Sequence, residues 1–197
     1  MNKNRLEAFS DGVLAIILTI MVLEIKVPEG SDFIALHKVL HVFVSYILSF
    51  IYIGIYWNNH HHMLQSMTKV NGKILWANLH LLFWLSMVPV TTGWIGETHF
   101  AKAPMALYGS ILLMAGVAYY ILQNVIIASQ GENSLLKKAV RKDFKGKASP
   151  FFYLLGIGFS FFNEWLSGGV YVLVALMWLV PDKRIERVIS KSEGTHD

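Results

Sequence analysis

The stretch Arg5-Leu6-Glu7-Ala8-Phe9-Ser10-Asp11-Gly12, followed without a break by Val13-Leu14-Ala15-Ile16-Ile17-Leu18-Thr19-Ile20-Met21-Val22-Leu23 up to Glu24, decides the fold class. Its apolar run is far longer than a strand and has no period-two alternation, so it reads as a helix over Leu6 to Lys26. That length suits the ~30 Å hydrocarbon layer of a bilayer. Lys3 and Arg5 before an apolar run also suggest a signal peptide, but the run is too long, contains Asp11 and Glu24, and lacks a small-residue cleavage site. Three further blocks of similar length follow at Leu40 to Trp57, Ile74 to Ile95 and Met105 to Ser129. Pro150 to Asn163 and Gly169 to Pro181 are shorter and interrupted by Asn163, Glu164, Gly168 and Gly169. They read as two thin spans or as a hairpin entering and leaving on one face, and either option returns the tail to the same side. The hydrophilic stretch from Gly131 to Ser149 reads as a loop. Nothing suggests a sheet or an internal repeat. The expectation is one all-α transmembrane domain over residues 1–197, a six-helix bundle.

Composition agrees, with 54% hydrophobic and only 15% charged residues among 197. The absence of cysteine excludes a disulfide framework, a thiolate nucleophile and a thiolate metal site. A net charge of +4 would be compatible with nucleic acid, but in a membrane protein a basic excess follows from topology, and no nucleic-acid partner is expected. Of the 17 lysines and arginines, only Lys26, Lys38 and Lys102 fall on one side of this layout. The rest fall on the other, which predicts a multi-pass cell-membrane protein with both termini in the cytoplasm. The basic loop Lys137 to Lys147 and the tail Lys183 to Arg187 could also meet anionic lipid headgroups, although retention of positive charge already explains them.

Polar groups at membrane depth need a reason, because an ionisable residue there costs about 2.5 to 3.5 kcal/mol on insertion scales. At about 100° per residue, Phe9, Gly12, Ile16, Thr19, Ile20, Leu23 and Val27 share a smooth stripe, while Asp11 points about 140° away from Ile16. An aliphatic stripe with one hydroxyl suits a narrow pore that selects or closes by dewetting, and it equally suits helix packing or lipid contact. If the first three segments alternate in direction, Arg5, Ser10 and Asp11 share a level with Trp57, Asn59, His60 and His61 and with Asn78 and His80. Such a cluster reads as a hydrogen-bonded knot joining three helices, with a proton relay or metal site as the functional alternative. Consecutive histidines such as His60, His61 and His62 point about 100° apart and cannot jointly chelate one ion on an intact helix. Glu24, near the outer mouth, either concentrates cations or snorkels and pairs.

The run Arg5-x-x-x-Phe9-Ser10-Asp11 closing at Leu23-Glu24-Ile25, with Trp57-x-Asn59-His60-His61 and then Asn78, resembles the prokaryotic members of the transmembrane protein 175 family, relatives of the lysosomal potassium channel. The match covers the first three segments closely and the others in hydropathy and topology. The resemblance implies a homotetramer without a pore-loop filter, in which the first helix lines a central pathway for monovalent cations, modestly selective for potassium. It places the hydrophobic constriction at Ile16, a hydroxyl layer at Thr19 and further layers at Ile20 and Leu23. It also implies a hydrogen-bonded network among Arg5, Phe9, Ser10, Asp11, Trp57, Asn59, His60, His61 and Asn78. No cofactor or resident metal is implied beyond permeant potassium. The alternative is a secondary transporter or proton-coupled carrier using Asp11 and the histidines, although no inverted repeat is visible. An enzyme is not expected, because neither a zinc-protease histidine pair nor a nucleophile elbow occurs.

Overall fold

The computed structural model describes residues 2–67, 69–131, 134, 136–137 and 144–179. Within them the chain is helical, with no strand. The elements are α1 (Lys3–Leu23), α2 (Phe33–Gln65), α3 (Gly72–Ser86), α4 (Val88–Glu97), α5 (Lys102–Gln130), α6 (Phe144–Ser160) and α7 (Glu164–Leu179). Four stretches are long and apolar enough to cross a membrane: Lys3–Leu23, Val39–Gln65, Gly72–Glu97 and Lys102–Gln130. Pro181, Lys138, Arg141, Lys142 and the basic tail lie outside the described residues.

Local chemistry sets the helix starts. The side chains of Asn2, Asp32 and Asn71 each accept a backbone N–H from the first turn of α1, α2 and α3, and Asn163 accepts those of Trp165 and Leu166 at the start of α7. Hydropathy missed several boundaries because it reports depth and not backbone conformation. No glycine or proline follows Trp57 before Ser66, so α2 continues past the expected end at Trp57 through all three histidines to Gln65. Its 33 residues make a rod about 50 Å long. The third expected segment, Ile74 to Ile95, is two helices that meet at Met87. Pro89 sits in the first turn of α4, where its missing N–H and fixed φ are tolerated. The last two helices begin at Phe144 and Glu164 instead of Pro150 and Gly169, because Lys145, Lys147 and Glu164 lower the hydropathy of their first turns without preventing helix.

Hydrogen bonds between helices show that the legs alternate in direction. At one end, Lys3 of α1 reaches the Gln65 carbonyl at the end of α2 (2.9 Å), Asn78 of α3 reaches Ser10 of α1, and Trp178 near the end of α7 donates to Ser149 in α6 (2.8 Å). At the other end, Lys26 after α1 meets Glu97 at the end of α4 (2.6 Å), and Lys102 of α5 reaches the Phe161 carbonyl after α6 (3.1 Å). The start of α1 and the end of α7 therefore share one end of the bundle. In the α5–α7 half, buried phenols close the contacts: Tyr52 Oη donates to the Tyr171 carbonyl (2.6 Å) and Tyr171 Oη to the Met105 carbonyl (3.1 Å).

Gly109 and Gly156 make room for Tyr171. A methyl at Gly109 would stand 2.6 Å from the phenol Cζ, so Gly109→Ala is expected to destabilise the fold by about 1–3 kcal/mol through overpacking. Gly54→Ala, with open space around it, should leave the melting temperature unchanged or raise it. Thermal unfolding followed by tryptophan fluorescence in detergent checks this, and equal melting of the two variants would contradict the close packing around Tyr171.

Candidate functional site

The face that α1 turns into the bundle is formed by Leu6, Ser10, Leu14, Ile17 and Met21, all buried. The opposite stripe is left uncovered. Ile16 is 60% exposed and Leu23 75%, and Phe9, Gly12, Thr19, Ile20 and Val27 are exposed as well. Thr19 is held in place by its own helix, since its hydroxyl donates to the Ala15 carbonyl at 2.9 Å. Its proton is thereby committed, which leaves the oxygen lone pairs as the group presented outward.

Behind the stripe, a chain of hydrogen bonds ties α1 to α2 and α3. Ser10 Oγ donates to the Leu6 carbonyl (2.8 Å), Asn78 Nδ2 donates to Ser10 Oγ (3.0 Å), and His60 Nε2 meets Asn78 Oδ1 (2.7 Å). Directions follow by elimination. The serine proton is already used, so Ser10 accepts and Asn78 must offer its NH2 group; the asparagine oxygen then accepts, and His60 is the tautomer carrying its proton on Nε2. Ser10 and Asn78 have no exposed surface and His60 has 2%. The chain ends on a backbone carbonyl, which holds no proton to pass on, so its chemistry is that of a lock and not of a relay.

The other polar residues expected here are placed differently. Asp11 stands on the flank, where its Oδ1 accepts from Trp57 Nε1 at 3.0 Å. Trp57 in turn stacks on His61, with ring centroids 6.2 Å apart, and His61 meets Gln65 at 2.9 Å. Asn59 is buried but bonds to the Ile55 carbonyl of its own helix (2.8 Å), and His80 accepts from Trp84 Nε1 (3.0 Å). Arg5 and Phe9 are exposed, and the Arg5 guanidinium makes no ion pair or hydrogen bond among the described residues. Nor do the described residues contain a group of three histidine or carboxylate side chains able to hold a metal ion.

Near the far end of α1, Glu24 lies beside Gly93 of α4, its Oε2 3.7 Å from where a Cβ would stand. Lys26 pairs with Glu97, and this hydrogen bond holds its ammonium above the usual lysine range. A second buried chain escaped the sequence reading. Thr92 donates to Ser49 (2.7 Å) and Ser49 meets Tyr108 Oη (3.0 Å), joining α4, α2 and α5. The available signal was the presence of hydroxyls on otherwise apolar spans, which must find partners away from water.

A family model described as the endosomal/lysosomal potassium channel TMEM175 matches residues 5–89, the part that carries both the uncovered stripe and Asn78. A potassium channel of Chryseobacterium sp. (strain P1-3) is 61% identical over 192 residues, covering 98% of this chain and 100% of its own. The crystal structure of a lysosomal potassium-selective channel TMEM175 homolog from Chamaesiphon minutus shares the fold with a TM-score of 0.80 at 26% identity, covering 91% of this chain and 97% of that one. The endosomal/lysosomal proton channel TMEM175 of Gallus gallus is 32% identical over 102 residues, which is 46% of this chain and 20% of its own.

The bond between Asn78 and Ser10 is testable by a double-mutant cycle. Asn78→Ala and Ser10→Ala should each lower stability by about 1–3 kcal/mol by stranding a buried partner. The double variant should fall short of the sum by at least about 0.5 kcal/mol, because the two share one interaction. Strict additivity in denaturation of the solubilised protein would contradict a shared bond.

Proposed function

The chain belongs to the TMEM175 family of potassium channels, and from that premise we propose that it conducts potassium as a homotetramer in which α1 of each subunit lines a central pore. The carrying observation is the uncovered stripe of α1. Helices α2, α3 and α4 cover its other side, and a face containing a hydroxyl is left at membrane depth with no partner from its own subunit.

Four copies of α1 around an axis would stack rings of Ile16, Thr19, Ile20 and Leu23 over roughly 10 Å of pathway. The sequence contains no Thr-Val-Gly-Tyr-Gly stretch, so this reading assigns selectivity to side chains. The aliphatic rings strip part of a cation's water and hold the pathway shut when dry, and the four Thr19 oxygens replace some of the lost ligands. Such a layer discriminates less sharply than a carbonyl cage, which gives modest preference for potassium. Glu24 at the far mouth adds a cation-attracting charge. The channel needs no cofactor and performs no catalysis; its partners are copies of itself, membrane lipids and permeant monovalent cations.

The same reading treats residues 1–197 as one membrane domain of six crossings, with α6 and α7 as the last two, in the cell membrane with both ends in the cytoplasm. It is supported by the shared end at which α1 starts and α7 stops, where Lys3, Arg5, Lys69, Lys73, Lys145 and Lys147 also gather, while Lys26 and Lys102 mark the opposite end. A carrier using Asp11 and the histidines fits less well, since the chain through His60 and Asn78 stops at the Leu6 carbonyl.

Ile16→Asn should wet the constriction and raise potassium leak several-fold in reconstituted liposomes. Flux equal to that of the parent, in a variant that remains tetrameric by mass measurement, would remove Ile16 from the gate.

A further inference from the structure

Toward the end of the bundle where α2, α5 and α7 finish and α6 begins, these four helices line an open-sided cavity of about 360 Å³, within the usual size range of ligand sites. None of its lining comes from α1. The walls are mostly hydrocarbon and aromatic, with Tyr56, Gly116, Tyr153 and Trp178 among them.

Gln123 of α5 also lines this space. Its residue surface is only 6% exposed, yet its amide makes no hydrogen bond among the described residues. Three neighbouring polar side chains, Asn59, Tyr119 and Ser149, are committed elsewhere. Asn59 donates to the Ile55 carbonyl, Tyr119 Oη to the Asn59 carbonyl, and Ser149 to the Lys145 carbonyl while accepting from Trp178. An unpartnered amide facing a largely apolar cavity favours an occupant that brings its own hydrogen-bonding atom. Water serves poorly, because an ordered water needs two to four polar partners and these walls offer few.

The rim supplies the second half of the chemistry. Lys147, in the first turn of α6, is exposed and lines the mouth, and its ammonium has no ion-pair partner among the described residues. Apolar walls opening between membrane-crossing helices, one inner amide and a rim cation fit an amphiphile with a long chain, a carbonyl near its top and a negative headgroup. We propose that the cavity binds one acyl chain of an anionic glycerophospholipid, with the Gln123 amide donating to the ester carbonyl and Lys147 facing the phosphate. The site does not depend on the pore, so its test does not require conduction.

The test uses the delipidated full-length protein and native mass spectrometry with added dioleoyl phosphatidylglycerol, dioleoyl phosphatidylcholine or free oleate. The expected result is one retained phosphatidylglycerol per subunit, bound about fivefold tighter than phosphatidylcholine, the weight of one lysine near an anionic phosphate. Lys147→Gln should erase that preference, and Gln123→Leu should weaken both phospholipids. Gly116→Leu should abolish retention, because a Cβ there already meets the cavity-lining Tyr56 and Tyr153 side chains at 3.8 and 3.9 Å, so a larger side chain takes space from the cavity. Thermal melting of each variant beside the parent separates lost binding from lost fold. Unchanged retention in a folded Gly116→Leu protein overturns the site. Equal affinity for phosphatidylcholine overturns the headgroup contact, and displacement by equimolar oleate overturns the phospholipid in favour of a free carboxylate.

Discussion

One primary amide, that of Asn78, sets the rotation of α1. Its nitrogen donates to Ser10 and its oxygen accepts from His60, and each half would be expensive to leave unpaired in a medium without water. Hydrocarbon packing alone discriminates weakly here, because Ile16 and Ile17 are the same side chain and a turn of about 100° would exchange them. The serine breaks that tie. Burying Ser10 against Asn78 carries Leu6, Leu14, Ile17 and Met21 inward and leaves Ile16, Thr19, Ile20 and Leu23 outside. A buried polar bond therefore decides which hydrocarbon face the bundle offers to its surroundings.

The rest of the bundle is held by a different device. Between spans in lipid, close approach and hydrogen bonding do the work that hydrophobic burial does in water, and the α5–α7 half combines the two through tyrosine and glycine. Tyr171 fits the gap left by Gly109 and Gly156 and bonds to Met105, while Gly96 lets α4 approach the Val42 backbone of α2. α1 packs on α2, α3 and α4 and is held along one side only.

Hydropathy and charge made the first four apolar blocks legible, together with the alternation of their directions, because a bilayer imposes length and sidedness directly on sequence. The smooth stripe of α1 was legible for the same kind of reason, since helical period fixes which residues share a face. Less legible were the ends. The polar turns of α2 after Trp57 and of α6 before Pro150 are helical but not apolar, and Pro89 divides a block that composition shows as continuous. The polar cluster was legible as a level and not as a set of bonds. Depth could bring Asn59, His60 and Asp11 to one height, but only packing decides that His60 turns to Asn78, that Asn59 turns to its own helix and that Asp11 reaches Trp57.

The division at Met87 gives α1 two separate supports. Its first half is fastened to α3 through Ser10 and Asn78, while Glu24 and Lys26 at its far end rest on the short α4 through Gly93 and Glu97. The break at Met87, just before Pro89, lets α3 and α4 each meet α1 at its own level. The two ends of the stripe are therefore fastened to different helices, one to α3 and the other to α4.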